Sequence, residues 1–179
     1  WPAPYIFLAD ETKRTTGIRL FISHLRAFAP DTLDPRYKCL DRLHFQLAKA
    51  EALDAGYDDV IWLSQSGHVA EGPASNLFLA KGGKLLTPGE EVLHGITRQT
   101  FMEIANEAGI PCAETNLTPF DLYSADELFT CSTAGGALAV REVAARKISG
   151  PVPGPITREL DQRYWEKREA GVDGTLIDG

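Results

Sequence analysis

Four stretches of this sequence hold residues that can do chemistry. Lys38 follows Tyr37 and precedes Leu40, the first apolar position of an amphipathic segment. An amine set against apolar surface loses its proton more easily and becomes a nucleophile toward carbonyl groups; a solvated lysine ahead of a helix is the alternative at this position. Glu71 lies in Ala70-Glu71-Gly72-Pro73-Ala74-Ser75-Asn76, between an apolar strand and a glycine–proline turn. Its carboxylate is either a turn residue or aimed into a site. His94-Gly95-Ile96-Thr97 and Ser132-Thr133-Ala134-Gly135 each combine backbone N–H groups with hydroxyls next to a helix or strand end. Such ends carry unpaired donors and partial positive charge, so both turns suit a phosphate; a plain helix cap and a strand-end turn are the alternative reading. Neither turn matches a phosphate-binding loop or a dinucleotide fingerprint.

These positions need elements to hold them. Leu40, Leu43, Leu47 and Ala50 recur at three- and four-residue steps, which predicts a helix over 39–55 with that face buried and Gly56 ending it. Lys38 then stands immediately before a helix. A charged turn is expected at 10–14 between apolar runs at 5–8 and 18–22, and a strongly apolar strand at 60–63. A segment from Val69 through 77–80 follows, with a tight turn at Gly82-Gly83. Phe101, Ile104, Ala105 and Ala108 predict a second helix over 97–108 that begins after Gly95 and stops at Gly109 and Pro111. Thr118-Pro119-Phe120-Asp121 reads as the capped opening of a short helix. Residues 128–131 read as a buried strand running into the small-residue turn, and 156–167 as a last helix with Ile156, Leu160 and Tyr164 on one face.

Composition narrows the function classes. The chain has 179 residues, 44% hydrophobic and 24% charged, the profile of one globular domain. A formal charge of −7 opposes a nucleic-acid backbone as partner. No run approaches the ~20 apolar residues that a membrane span requires, and none reads as a leader. Cys39, Cys112 and Cys131 are an odd, scattered set, expected as reduced thiols in a cytoplasm. His24, His44, His68 and His94 never fall at metal-ligand spacing, no Gly-x-Ser-x-Gly nucleophile motif occurs, and no metal is expected. The paired acids Asp58-Asp59 and Glu90-Glu91 read as solvated strand ends.

The order of motifs carries a resemblance. Tyr37-Lys38-x-Leu40-x-Arg42-Leu43, Gly67-His68-Val69-Ala70-Glu71-Gly72 with Ser75-Asn76-Leu77-Phe78, and Leu93-His94-Gly95-Ile96-Thr97-Arg98 come in that succession. Ala125-Asp126-Glu127-Leu128-Phe129, Ser132-Thr133-Ala134-Gly135-Gly136 and Gly154-Pro155-Ile156-Thr157 follow. Over about residues 36–165 this resembles the fold type IV pyridoxal-phosphate enzymes, the class IV aminotransferases and aminodeoxychorismate lyase. The resemblance implies a mixed α/β fold like the large domain of D-amino-acid aminotransferase, a pseudo-barrel of mixed strands flanked by helices.

It also implies roles. Lys38 would form a Schiff base with pyridoxal 5'-phosphate and, once freed, move the proton between substrate and cofactor carbons. Glu71 would keep the pyridine nitrogen protonated. Leu93 would pack on the ring, with Asn76 and Gly95 in the cofactor site, and Ile96, Thr97, Ser132 and Thr133 would cradle the phosphate. Arg42, Thr133, Ala134 and Gly135 would meet substrate, with Arg98 and Arg141 as other candidates for its carboxylate. The reaction implied moves an amino group between an amine or amino acid and a 2-oxo acid. The motif at 133–136 is most like (R)-selective amine transaminases, and the Lys38 motif most like D-amino-acid aminotransferases. Leu43 stands where branched-chain enzymes tend to have tyrosine. Lyase-type carbon–carbon cleavage and branched-chain transamination are the alternatives, and an inactive cofactor-binding or dimerisation fragment is the alternative of another class. Family members carry an N-terminal domain of roughly one hundred residues that supplies an arginine to the phosphate, and no segment here matches it. Residues 1–36 are therefore expected to be an interdomain connection with first strands and 37–179 the cofactor-binding domain, in a homodimer, with a separate N-terminal piece as a further partner.

Overall fold

The computed structural model describes residues 10–172 and 174; the strand expected at 5–8 lies outside them. Helix α1 (Glu11–Thr16) leads into β1 (Ile18–Arg26), α2 (Leu43–Asp54), β2 (Asp59–Leu63), β3 (Asn76–Lys81), β4 (Lys84–Thr87) and α3 (Ile96–Glu107). Then come β5 (Cys112–Glu114), α4 (Pro119–Tyr123), β6 (Glu127–Ser132), β7 (Gly136–Val143), β8 (Arg146–Lys147) and α5 (Pro155–Glu169). The strands form one mixed sheet in the order β2-β1-β7-β6-β3-β4-β5, with β8 on β7. β1 runs parallel to both β2 and β7, and β3 runs antiparallel to β4 and β6.

The sheet curls until its two ends meet, which is the expected pseudo-barrel. The chain after β2 folds back on it, Ala70 N–H donating to Trp62 O at 2.9 Å. Its neighbour Val69 donates to Leu117 O, beyond β5, at 2.7 Å. Side chains alternate across such a strand, so β3 sends Leu77 and Leu79 into the barrel and Phe78 and Ala80 outward under α3 and α5. Burial on both faces explains why 77–80 reads as an unbroken apolar run. Outside the barrel, Phe78 stacks on Phe129 at 5.1 Å between ring centroids, and Phe101 of α3 stacks on Tyr164 of α5 at 5.0 Å.

Three expectations are corrected. The turn at 10–14 is helix α1, capped by Asp10, whose side chain accepts from Lys13 N–H at 2.8 Å; it buries nothing, so it leaves no apolar period in the sequence. The helix expected from residue 39 begins at Leu43, which leaves Lys38 in a loop. Its buried face is Ala48 and Ala52, whereas Leu40, Leu43 and Leu47 are exposed. Small side chains let α2 lie close over β1 and β2, with Phe45 against Trp62, and that approach turns the leucines outward. The central strand β7 was not expected at all: alanines and glycine give it little strand propensity, and pairing with β1 and β6 decides its conformation. The helices over 97–108 and 156–167, the Thr118 cap with its reciprocal Asp121 bonds, and the strands at 60–63 and 128–131 stand within a few residues of expectation. No helix among the described residues is long and apolar enough to cross a membrane.

Candidate active site

A cavity of about 450 Å³ opens beside the loop before α2, the start of β3, the start of α3 and the end of β6. Its wall brings together Lys38, Arg42, Glu71, Asn76, Leu93, Gly95, Ile96, Thr97, Ser132 and Thr133, residues spread over almost a hundred positions of sequence. Ala134 and Gly135 are not on it. Gly135 is buried and gives its carbonyl to Arg14 Nη1 at 2.8 Å.

Glu71 is 8% exposed. Burial pushes its carboxyl up to about 7, against the pull of a backbone hydrogen bond at Leu93 and the charges of Arg42, Lys38 and Arg98. Asn76, the first residue of β3, holds this acid in place: its Nδ2 donates to Glu71 Oε2 at 3.1 Å and to Leu93 O at 2.9 Å. Gly95 sits against the same amide, and a Cβ there would collide with Asn76 Oδ1, so the approach of α3 to β3 requires glycine. Gly95 is also the N-cap of α3 and gives no side-chain cap bond. The first turn of α3 thus presents its N–H groups and the positive end of its dipole to the cavity. Thr97 Oγ1 lies 3.1 Å from Thr133 Oγ1, so the two anion-friendly turns meet.

At the other end Lys38 is exposed. Arg42 also reaches the wall, with Nη2 on Pro73 O and the guanidinium 4.1 Å above the Phe45 ring. Arg98 is placed elsewhere: it is 3% exposed and donates to Pro88 O at 2.8 Å and pairs with Glu114 at 2.9 Å. Arg141 is exposed on β7. Cys131 also lines the cavity, but burial pushes its thiol up to about 12 and removes it as a nucleophile.

Several wall residues escaped the sequence reading. Glu91 is no solvated strand end: it lines the cavity with φ +54° and a buried carboxylate oxygen. That oxygen, Ser75 Oγ, His44 Nδ1 and Trp62 Nε1 are buried on this wall without a hydrogen-bond partner among the described residues. Burial lowers the pKa of His44, which packs on Phe45 at 4.3 Å and Trp62 at 5.0 Å. The acid doublet and the aromatic spacing were visible in sequence, but nothing local told a wall position from a surface one.

The rim of the curled mixed sheet thus brings a lysine, a buried acid and an uncapped helix end to one cavity. The chain belongs to the class IV aminotransferases: the family model "Amino-transferase class IV" matches residues 3–143. It is 38% identical to the branched-chain-amino-acid aminotransferase of Pseudomonas aeruginosa over 69% of this chain and 41% of that protein. The Escherichia coli branched-chain amino acid aminotransferase superposes with a TM-score of 0.88 at 32% identity, over 92% of this chain and 55% of that one. The enzyme of Thermobaculum terrenum in its PLP form superposes with a TM-score of 0.83 at 32% identity, over 88% and 53%. The chain spans about half the length of the curated relatives it matches.

Proposed function

We propose that this chain is the cofactor-binding part of an enzyme that transfers an amino group between an amino donor and a 2-oxo acid. The observation that carries the reading is the convergence on one wall of a cavity of Lys38, the buried acid Glu71 and the paired Thr97 and Thr133 hydroxyls at an uncapped helix start.

Class IV aminotransferases use pyridoxal phosphate, and the residues present fit it. The buried Glu71 carboxyl, held by Asn76, makes no ion pair among the described residues, and a protonated ring nitrogen would provide one. The N–H groups of Ile96 and Thr97, with the Thr133 and Ser132 hydroxyls, suit a phosphate. Leu93 offers an apolar surface to the ring. Bound here, the cofactor would supply an electron-withdrawing ring that stabilises negative charge at the reacting carbon. Glu71 holds the proton at the ring nitrogen, and Asn76 holds Glu71. Lys38 would hold the cofactor through its aldehyde, and its amine would be the group to move a proton at the reacting carbon.

For the donor, likeness to proteins named as branched-chain aminotransferases supports branched aliphatic amino acids over the (R)-amines and D-amino acids suggested by the local motifs. The apolar wall, with Phe28, Leu33, Phe45 and Trp62, suits such side chains. Exposed Tyr37, Leu40, Leu43, Leu47 and Ile96 support association in a homodimer, and full turnover is assigned to the assembly that also contains the remaining length of the relatives. Unpaired Cys39, Cys112 and Cys131 support a reducing compartment such as the cytoplasm.

The test is intact mass after borohydride reduction, which turns a reversible link between an amine and an aldehyde into a stable one. Wild-type protein incubated with pyridoxal phosphate should gain one cofactor mass, mapped to the peptide holding Lys38, and Lys38→Ala should gain none. An unlabelled wild type, or equal labelling in Lys38→Ala, overturns the assignment.

A further inference from the structure

The turn that carries Thr133 is gripped from the side away from the cavity. Arg14 Nη1 of α1 donates to Gly135 O at 2.8 Å, and Arg168 Nη1, from the last turn of α5, donates to Thr133 O at 3.3 Å. Between them, Asp161 of α5 accepts from Ala137 N–H at 2.7 Å and meets Arg14 Nη2 at 3.5 Å. Alternate backbone groups at 133, 135 and 137 are thus held by three side chains from the two ends of the chain. In a trans peptide the carbonyl and the following N–H point opposite ways, so drawing the Thr133 carbonyl onto Arg168 turns the Ala134 N–H away from the clamp.

The fit leaves no room for a side chain at the centre. Gly136 has φ +64°, and a Cβ there would stand 2.5 Å from Asp161 Oδ1 and 2.9 Å from Trp165 Nε1. Asp161 is itself fixed, because its neighbours Leu160 and Tyr164 are buried against α3 and the sheet. Burial pushes its carboxyl above the ordinary range, and the Ala137 bond and the Arg14 charge oppose that rise.

We propose that Asp161, with Arg14 and Arg168, is a positioning residue that fixes the 133–137 turn and thereby the Thr133 hydroxyl opposite Thr97, so that it sets affinity for the phosphate of the cofactor without touching it. The proposal rests on the cofactor reading above. Cutting the Asp161 bond leaves the Ala137 N–H without that acceptor and loosens the turn, which its own Gly135 N–H bond to Ser132 O at 3.3 Å still closes. The penalty falls on ligands that use the turn, those carrying a phosphate, and spares ligands that use only Lys38, Glu71 and Leu93.

The experiment titrates wild type, Asp161→Asn and Asp161→Ala with pyridoxal phosphate and, separately, with pyridoxal, which lacks the phosphate. Amide hydrogen exchange at Ala137 and a thermal melt are recorded for each. Asp161→Ala should bind pyridoxal phosphate on the order of tenfold more weakly, the scale of one buried hydrogen bond, with pyridoxal affinity within about twofold and faster exchange at Ala137. Asp161→Asn, whose side-chain oxygen still accepts from Ala137, should recover most of the affinity. A folded Asp161→Ala that loses both ligands equally, or neither, overturns the clamp. If Asp161→Ala does not fold, Arg168→Ala, which cuts the bond to Thr133 O, decides: a weaker grip on pyridoxal phosphate with pyridoxal unchanged supports the clamp, and a ratio of the two affinities equal to wild type overturns it. Wild type that binds neither ligand overturns the cofactor reading and the clamp together, whereas wild type that binds both while the variants match it overturns the clamp alone.

Discussion

The two ends of the cavity are built differently. The anion end, where α3 starts and β6 finishes, stands on the aromatic stack of Phe78, Phe101, Phe129 and Tyr164, and its N-terminal turn is tied down by the buried Arg98. The lysine end is a loop from residue 34 to 42 followed by a helix whose leucines face outward, with Leu40 100% exposed. One end is finished by its own core; the other presents apolar surface that association would bury. The start of α3 and the end of β6 are therefore fixed by internal packing, whereas the loop that carries Lys38 lies exposed. A variant that damages the core should separate the two ends, and one on the loop should leave the fold intact.

The largest effect is expected at Phe101→Ala. This ring is fully buried between Phe78, Phe129 and Tyr164, and removing it should cost about 3–5 kcal/mol of stability by denaturant unfolding. Affinity for pyridoxal phosphate should fall with it, because α3 carries Thr97. A loss below about 1 kcal/mol would mean that the anion end is not anchored by the stack.

Glu71 lies between the two ends and gives a pH test. A carboxyl held at about 7 in the folded chain and near its ordinary 4.5 when unfolded keeps its proton longer in the fold. Stability of the cofactor-free protein should therefore be full below the unfolded value and fall as pH rises through that window. The rise corresponds to at most about 3 kcal/mol. Glu71→Gln cannot ionise, so its advantage over wild type should grow from pH 5 to pH 8 in chemical denaturation. Parallel curves for the two proteins would remove the buried-acid account. With pyridoxal phosphate bound the difference should reverse, since the ring nitrogen supplies the cation that Glu71 lacks.

Thr97→Val sharpens the comparison at smaller scale. It deletes one partner of the 3.1 Å hydroxyl pair with Thr133 and should weaken pyridoxal phosphate binding by about five- to tenfold, roughly the worth of one hydrogen bond. Pyridoxal, titrated alongside, should be unaffected; equal weakening of both would place Thr97 away from the phosphate.

What the sequence disclosed follows the same division. Elements that bury a regular stripe announced themselves: Phe101, Ile104 and Ala105 of α3, the Thr118 cap of α4, and Leu160 with Tyr164 of α5 all lie as their spacing predicts. Motif order singled out the candidate residues, and the cavity gathers them on its wall except Ala134, Gly135 and the two further arginine candidates Arg98 and Arg141. What stayed hidden depends on partners far away in sequence. β7 is a strand because β1 and β6 flank it, and Glu91 is a wall residue because its loop packs under α2. Asp161 takes its partner, the Ala137 N–H, from 24 positions away, which no local pattern marks. The leucines of α2 misled for a related reason: their helical period was real, but period alone does not say which face meets the core when alanines permit a closer approach.

That last point yields the smallest predicted effect. Leu40→Ser and Leu47→Ser replace exposed leucines, 100% and 54% accessible, so each should change chemical stability by no more than about 0.5 kcal/mol. A buried leucine would cost several times that, so a loss of 2 kcal/mol or more would mean that these side chains pack within the chain after all. The same pair should shift the association state measured by sedimentation, since the surface they remove is the apolar rim around Lys38. If both variants sediment as wild type at every concentration, the rim is not the contact surface, and the lysine end would then be as self-contained as the phosphate end.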